Sequence, residues 1–300
     1  MTTPVFTMEQ FAKTARAAAA EGCVLLRNEN AALPLEGGCR VAVFGRTQMN
    51  DFKSGLGSGG LVNARYVVGV YQGLKESGLV KVDEALRQTY ESWVKDHPFD
   101  IGDGWGTHPW YQEEMPLDDA LVQTCAQRND AAVVILGRTA GEDRDNADAP
   151  GSWRLTEAEE AVLATVTRYF ARTIVVLNVG NIIDMNWVER YRPAAVLYAW
   201  QGGQEHGNAV ADVLTGKVSP SGRLTDTIAR HIEDYPSAEG FGDGERVFYR
   251  EDIYVGYRYF ETFAKGSVLY PFGSGLSYTV FAHEPLGFAW DGEKATIRHR

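Results

Sequence analysis

The segment Ala131–Asn146, AAVVILGRTAGEDRDN, decides the fold of this chain and contains its most unusual loop. It begins with a short apolar run, 131–137, which is typical of a strand buried on both faces of a parallel sheet. Four charged residues, 142–145, follow almost at once, and open α/β sheets bind ligands beyond the carboxyl ends of their strands. Two interpretations are open here: a carboxylate held at a cleft as a general acid or base, or a solvated loop of paired charges.

Composition narrows the classes of partner. The 300-residue chain has 40 acidic and 29 basic residues, a net charge of −11, and 44% hydrophobic residues. Because its lysines and arginines form no cluster, we expect neither nucleic acid nor a membrane surface as a partner. No apolar run approaches the roughly 20 residues of a membrane span, and the N-terminus lacks the pattern of a signal peptide. We therefore expect a cytoplasmic protein.

The cysteines and histidines show no metal-binding pattern. Cys23, Cys39 and Cys125 are scattered without CxxC spacing, so we interpret them as reduced core residues in a reducing compartment. The six histidines do not cluster either. We expect no metal site and no cofactor.

Buried strands alternate with helices along residues 1–234, which predicts a mostly parallel sheet with helices on both faces. Strands are predicted at 40–45, 131–137, 173–179 and 194–199, and helices at 8–22, 71–77, 83–97, 120–127, 156–171 and 206–215. Thr7 is the predicted N-cap of the first helix, and Thr156 with Glu159 forms a predicted capping box.

The composition changes after the α/β region, which we assign to residues 1–234. Residues 235–284 are rich in Gly, Tyr and Phe and indicate an extended arm packed on that domain. Residues 285–300 alternate around Asp291-Gly292, which predicts a β-hairpin. Because a lone hairpin is marginal in water, we interpret this end as the incomplete start of another domain.

A loop at 98–118 carries Trp105, His108, Trp110 and Tyr111 without periodicity. Its aromatic side chains either stack on the apolar faces of sugar rings or pin a long loop onto the domain. The sequence leaves both interpretations open.

Gly55, Gly57 and Gly60 match the dinucleotide fingerprint G-x-G-x-x-G, but their context differs from it. The fingerprint belongs in the turn directly after a strand and opens a helix, whereas the preceding strand is predicted to end at Gly45. A Rossmann-type oxidoreductase is therefore not expected. The loop is predicted either to let backbone approach a ligand closely or to be a simple Ser-Gly turn.

Several separated segments together resemble the α/β sandwich domain of glycoside hydrolase family 3. They are GCVLLRN at 22–28 with LPL at 33–35, VAVFG at 41–45 with the loop at 54–60, GGQEHGNA at 202–209 with PSGRL at 220–224, and GYRYF at 256–260 with PFGSGLSYT at 271–279.

This resemblance implies a lobe of a retaining β-glycosidase, of the β-glucosidase kind, that acts on a β-linked oligosaccharide or glycoside. In the family, the nucleophilic aspartate lies on a (β/α)8 barrel, which this chain lacks. A chain that begins with the sandwich and ends within the next module resembles the N-terminal part of members in which the sandwich precedes the barrel, and we expect the barrel in the same polypeptide. Residues 285–300 then resemble the start of a fibronectin-type-III-like domain, and the 300-residue chain alone is expected to have no substantial activity.

The resemblance also implies roles for individual residues. The family's acid/base glutamate lies in a segment resembling S-G-E-G-Y-D-R, and Ala140-Gly141-Glu142-Asp143-Arg144 stands in that place, although the Gly-Tyr is missing. Glu142 is thus the predicted general acid/base, with Asp143 as runner-up. The predicted substrate-binding residues are Gly57, Ser58, Arg144, Trp105 and Trp110. The alternative is a carbohydrate-binding or scaffolding module that kept the fold and lost the chemistry.

Overall fold

A computed structural model describes residues 7–56, 60, 62–104, 106–142, 145–242, 244–246, 248–280, 282 and 284–300. Its α-helices are α1 (Met8–Gly22), α2 (Val70–Ser77), α3 (Glu84–Asp96), α4 (Asp119–Arg128), α5 (Glu157–Tyr169), α6 (Trp187–Tyr191), α7 (His206–Leu214) and α8 (Tyr257–Phe263). Its strands are β1 (Val24–Asn28), β2 (Arg40–Phe44), β3 (Lys81–Val82), β4 (Ala131–Arg138), β5 (Thr173–Val179), β6 (Ala195–Tyr198), β7 (Ile228–Ala229), β8 (Val268–Tyr270), β9 (Pro285–Trp290) and β10 (Ala295–His299). Short 3-10 helices lie at Glu29–Ala31, Arg46–Met49, Gly203–Glu205, Ile232–Asp234 and Lys265–Ser267.

The main sheet has six strands in the order β1-β6-β5-β4-β2-β3. All neighbouring pairs are parallel except β1 with β6, which pair antiparallel at one edge. At the centre, Val133 of β4 lies opposite Val43 of β2 and Ile174 of β5. The predicted mostly parallel α/β fold is confirmed, and the antiparallel edge strand is an addition that the sequence patterns did not reveal.

Strand β4 has hydrophobic packing on both faces, because its side chains alternate between them. All eight of its residues are buried. Val134 and Leu136 belong to the cluster on one face, whereas Val133 and Ile135 belong to the cluster on the other. Fully burying one such aliphatic side chain contributes about 1.5–3 kcal/mol to the free energy of unfolding. Because both faces of β4 are buried in this way, apolar residues are favoured at every position, which explains the continuous apolar run.

The helix starts follow the predicted caps. The Thr7 side chain accepts a hydrogen bond from the Gln10 N–H, which closes a capping box at the start of α1. Thr156 and Glu159 form the predicted capping box of α5. Each box satisfies backbone donors that a helix N-terminus otherwise leaves open.

The order of the strands creates a topological switch point between β2 and β4. From β2 the chain moves to β3 on one side, and then returns to β4 on the opposite side of β2 and continues through β5 and β6. The connections that leave the carboxyl ends of β2 and β4 therefore lead to helices on opposite faces of the sheet, α2 on one and α5 on the other, and such a switch point is where these folds bind ligands.

The C-terminal part adds small antiparallel strand pairs. Strand β7 pairs with β8, and the predicted hairpin is confirmed as β9 paired with β10. In its turn, the Asp291 carboxylate accepts hydrogen bonds from the Glu293 and Lys294 N–H groups. The boundaries of the arm and of a further domain stay predictions.

The remaining sequence patterns can be compared with the described part of the chain. Cys23, Cys39 and Cys125 are buried free thiols, as expected for core residues. Within the described residues, no helix is both long enough and apolar enough to cross a membrane.

Candidate functional site

Glu142 lies in the loop after β4, at the switch point, and its neighbours pair with the loop after β2. The Leu56 N–H donates to the Ala140 carbonyl at 2.5 Å, and the Glu142 N–H donates to the Leu56 carbonyl at 3.4 Å. Leu56 and Gly141 form a parallel β-bridge. The backbone on which Glu142 is mounted is therefore held by the glycine-rich loop, while the Glu142 side chain is exposed at the sheet edge.

Two glycines permit this approach of one backbone to another. Gly141 has φ 128°, and a Cβ added there would lie 2.2 Å from the Leu56 carbonyl oxygen. A Cβ added at Gly55 would lie 2.7 Å from the Ala140 carbonyl oxygen. Neither contact is possible for a residue with a side chain, so the two loops require glycine at these positions.

A buried amide on β5 fixes the start of the glycine-rich loop. Asn178 is fully buried, and its Oδ1 accepts a hydrogen bond from the Phe52 N–H at 2.7 Å. Its Nδ2 donates to the carbonyl oxygens of Phe52 at 3.0 Å and of Trp200 at 2.7 Å. One side chain therefore ties together the loops that follow β2 and β6.

A buried ion pair joins the two ends of the Glu142 loop. Arg138, the last residue of β4, is 2% exposed, and its guanidinium donates to both carboxylate oxygens of Glu159 in the first turn of α5. The Glu159 carboxylate also accepts hydrogen bonds from the N–H of Thr156 at 2.8 Å and from its hydroxyl at 3.0 Å. Charge-assisted bidentate bonds of this kind are strong and directional, so they fix the loop at its base.

Two cavities flank the Glu142 loop. The first, of about 800 Å³, lies at the switch point and is lined by residues such as Phe52, Leu56, His108 and Thr139. The second, of about 830 Å³, lies over the carboxyl ends of β4, β5 and β6. Its lining includes Gly141, Asp145, Asn146, Asn181, Trp200 and Asp226.

The wall of the first cavity contains a buried carboxylate next to a buried imidazole. Asp51 Oδ1 accepts a hydrogen bond from the Val70 N–H at 3.1 Å and lies 4.0 Å from Nε2 of His206. His206 Nδ1 accepts from the Gly202 N–H, so the proton of the neutral ring belongs on Nε2, facing Asp51. Burial raises the pKa of Asp51 to about 7 and lowers the pKa of His206 to about 4.

The raised pKa of Asp51 predicts a pH-dependent stability. Between the ordinary value of 3.8 and about 7, the native state holds a proton on Asp51 that the unfolded state has lost, so the contribution of this carboxyl to stability falls as pH rises. The lowered pKa of His206 acts in the opposite direction below 6.5, so the contribution of Asp51 is measured as the difference between Asp51→Asn and wild type. Because Asn keeps an Oδ1 acceptor for Val70, we expect the stability of the variant relative to wild type to increase from pH 5 to pH 8. Urea unfolding of both proteins over this range measures the difference, and a difference that does not change with pH would contradict the assignment.

The aromatic loop is fastened to the domain at Trp110. The Trp110 carbonyl accepts a hydrogen bond from the Thr139 N–H at 2.7 Å, and its half-buried side chain carries an indole N–H that has no partner among the described residues. Hydrogen bonds between Asp100 and Gln112 close the loop. These contacts favour the pinning interpretation for Trp110, and its contact with a substrate stays a prediction.

The predicted site residues are thus placed in part. The backbone of Glu142 is hydrogen-bonded to the glycine-rich loop. The Trp110 carbonyl accepts a hydrogen bond from the N–H of Thr139, which lies in the same loop as Glu142. Gly57, Ser58, Trp105, Asp143 and Arg144 lie outside the described residues. Sequence reasoning did not find the roles of Arg138, Asp51, Asn178 or Trp200, since none of them stands in a pattern that carries chemistry.

Comparisons with known proteins agree with this architecture. Residues 23–278 match the model of the glycosyl hydrolase family 3 C-terminal domain. A beta-glucosidase of Ruminococcus albus is 52% identical over 262 residues, which cover 87% of this chain and 28% of that protein.

Solved structures give the same result. The crystal structure of a beta-glucosidase from Paenibacillus barengoltzii has a TM-score of 0.92 and 52% identity, covering 97% of this chain and 32% of that one. The structure of beta-glucosidase 3B from Thermotoga neapolitana with alpha-D-glucose has a TM-score of 0.87 and 38% identity, covering 97% of this chain and 41% of that one. The chain thus spans 28–41% of the length of these relatives. On the family match over residues 23–278, it belongs to glycosyl hydrolase family 3.

Proposed function

We propose that this chain is a lobe of a retaining β-glycosidase, of the β-glucosidase kind, and that Glu142 is its general acid/base. The observation that carries the proposal is the position of Glu142. It follows the central strand β4 at the switch point, and its backbone is paired with Leu56 of the glycine-rich loop. The similar proteins are beta-glucosidases, which supports the substrate class.

The chemistry requires two carboxyl groups. One protonates the oxygen of the leaving group, and the other, about 5–5.5 Å away, attacks the anomeric carbon to form a glycosyl-enzyme. The first group then acts as a base and deprotonates the water that releases the sugar. Glu142 suits the first role because its side chain is exposed at the edge of the sheet, where a second domain can meet it.

The nucleophile belongs to a second domain in this proposal. The relatives are much longer than this chain, which leaves room for a barrel domain that carries an aspartate. Residues 1–300 would then supply the acid/base and part of the substrate site, and would not complete the reaction by themselves.

Covalent trapping tests this division of roles. The full-length polypeptide would be incubated with 2,4-dinitrophenyl 2-deoxy-2-fluoro-β-glucoside. In this reagent the bond from C1 to the aryl oxygen breaks, and dinitrophenolate leaves with the electron pair. A carboxylate oxygen of the enzyme then forms an ester at C1. Because fluorine slows the second step, the ester accumulates. We expect peptide mass spectrometry to find the label on an aspartate outside residues 1–300.

The same experiment can contradict the proposal. A label on any residue of 1–300 would place the nucleophile in this chain, and the 300-residue chain alone is the matched control, in which we expect no label. If the full-length protein neither takes the label nor hydrolyses any β-glycoside, the non-catalytic carbohydrate-binding function replaces the catalytic one.

A further inference from the structure

Asn178 interrupts the apolar run of a central strand. Strand β5 has the sequence TIVVLNV, all of its residues are buried, and Asn178 is fully inaccessible to solvent. A strand that is covered on both faces favours Val, Ile or Leu at such a position, and an amide buried without partners is destabilising. Asn178 uses its Oδ1 as an acceptor and both hydrogens of its Nδ2 as donors, and the partners are backbone groups of the loops after β2 and β6. The hydrogen bonds of this side chain are thus directed at the loops around the candidate site.

The first route from Asn178 to the proposed acid runs through the glycine-rich loop. Asn178 accepts from the Phe52 N–H at 2.7 Å and donates to the Phe52 carbonyl at 3.0 Å, so it holds the peptide groups on both sides of this residue. Further along, the Leu56 N–H donates to the Ala140 carbonyl at 2.5 Å, and the Leu56 carbonyl accepts from the Glu142 N–H at 3.4 Å. Only residues 53–55 separate the two anchored positions, so a shift of Phe52 is passed on to Leu56 and to the backbone of Glu142.

The second route runs through the loop after β6. Nδ2 of Asn178 donates to the Trp200 carbonyl at 2.7 Å, and Trp200 has φ 54°, in the left-handed region that bulky residues rarely adopt. Strained backbone of this kind persists only where the surrounding structure fixes it. The next residue, Gln201, donates from Nε2 to the Arg138 carbonyl at 3.1 Å, at the base of the Glu142 loop. The hydrogen bond from Asn178 therefore also supports the residue next to this second contact.

We propose that Asn178 is a positioning residue for the reaction and that it fixes, through both routes, the loop that carries Glu142. This inference rests on the proposed function. A general acid must lie within hydrogen-bond distance of the oxygen that it protonates, and a displacement of about 1 Å can lower a rate about 10²-fold. Because Asn178 acts through backbone groups of the two loops, this role requires no contact between Asn178 and the substrate.

The first test compares two leaving groups in the full-length enzyme with Asn178→Ala. Hydrolysis of a glucose disaccharide requires a proton on the leaving oxygen, whereas dinitrophenolate leaves without one. The disaccharide is the one that wild type hydrolyses fastest among cellobiose, laminaribiose and gentiobiose. We expect kcat/KM to fall about 10²-fold for this disaccharide and less than about fivefold for 2,4-dinitrophenyl β-glucoside. Damage to the fold alone reduces the number of active molecules and lowers both values equally.

Asn178→Asp tests the same hydrogen bonds without a change in size. The new carboxyl keeps an acceptor for the Phe52 N–H, and its protonated form can donate to one of the two carbonyls. Burial without a cation favours the protonated form, whereas the charged form repels both carbonyl oxygens. For the disaccharide, we expect kcat/KM to be within about fivefold of wild type at pH 5, and to fall at least about tenfold further relative to wild type at pH 8. The ratio to wild type at each pH removes the titration of Asp51 and Glu142, which both enzymes share.

Asn129→Ala is the matched control. Asn129 is also a buried asparagine, and its Nδ2 donates to the Asp83 carboxylate at 2.7 Å and to the Cys125 carbonyl at 2.9 Å. It precedes β4 and therefore lies at the opposite end of this strand from the Glu142 loop. We expect both alanine variants to have a lower melting temperature than wild type, and Asn129→Ala to keep kcat/KM within about twofold of wild type on both substrates.

Hydrogen exchange gives a readout that does not depend on the reaction. In the full-length polypeptide, mass spectrometry of peptides that span residues 52–56 should show that the Leu56 N–H exchanges at least about tenfold faster in Asn178→Ala than in wild type, with no change in Asn129→Ala. Equal losses on both leaving groups, no recovery of Asn178→Asp at pH 5, or unchanged exchange at Leu56 would each overturn the positioning role. Failure of the proposed function gives a different result, because Glu142→Gln would then leave hydrolysis of the disaccharide intact while Leu56 still exchanges faster in Asn178→Ala.

Discussion

Glu142→Gln in the full-length enzyme is expected to lower kcat/KM for a disaccharide by about 10²–10⁴, which is the usual contribution of a positioned acid or base. With 2,4-dinitrophenyl β-glucoside the leaving group departs without protonation. The first step should then survive, so kcat/KM stays near the wild-type value. The second step still needs a base, so kcat and KM should fall together as the glycosyl-enzyme accumulates.

Small anions give a second readout that structural damage would not produce. In Glu142→Ala, azide needs no base: its nitrogen forms a bond to C1 while the ester bond from C1 to the nucleophile breaks, which releases the aspartate as carboxylate. We expect added azide to restore kcat on the dinitrophenyl glucoside and to yield β-glucosyl azide, the product of net retention.

Two carboxyl variants serve as controls for position 142. Asp143→Asn tests the runner-up in the same loop. Glu157→Gln makes the same chemical change as Glu142→Gln at the first residue of α5, outside both cavities. If Glu142→Gln lowers kcat/KM equally for all leaving groups, and azide does not restore kcat in Glu142→Ala, Glu142 has a structural role. If Asp143→Asn instead shows the dependence on the leaving group, the acid is Asp143.

The fold was largely predictable because parallel strands buried on both faces are continuous apolar runs. Strands β2, β4, β5 and β6 were found this way to within about one residue at each end. Strand β1 was not, since VLLRN is short and ends in polar residues, and its pairing partner β6 is far away in the sequence. Long-range pairing has no local signature at such an edge.

The site was predictable only where one residue carries the chemistry. Glu142 could be proposed from its place after a buried strand and from a family resemblance. The residues that hold the loops in place could not be predicted from the sequence. Asn178, for example, acts through hydrogen bonds to backbone groups of Phe52 and Trp200, which leave no pattern in the sequence. The left-handed backbone of Trp200 is likewise a product of the folded loop, since propensity alone would assign such a position to Gly or Asn.

Arg138→Met is expected to have the largest effect on stability. It leaves the Glu159 carboxylate buried without its cation, and removing one partner of a buried pair costs about 3–5 kcal/mol of unfolding free energy. The Arg138 guanidinium also lies 5.8 Å from the Tyr111 ring centre, so the long apolar stem of Met retains part of that packing. Chemical denaturation of the 300-residue chain measures the change.

The double variant Arg138→Met/Glu159→Gln separates the unpaired charge from the lost contacts. Gln removes the charge and still completes the capping box with Thr156, so we expect it to recover at least about half of the loss. Arg168→Met breaks an ion pair with Asp119 in which both side chains are more than half exposed, and should cost no more than about 1 kcal/mol. A loss below about 1 kcal/mol for Arg138→Met, or no recovery in the double variant, would show that the buried charge does not dominate. Because the pair of Arg138 and Glu159 closes the base of the Glu142 loop, the unfolding free energies of these variants measure how much the pair stabilises the loop that holds the proposed acid at the switch point.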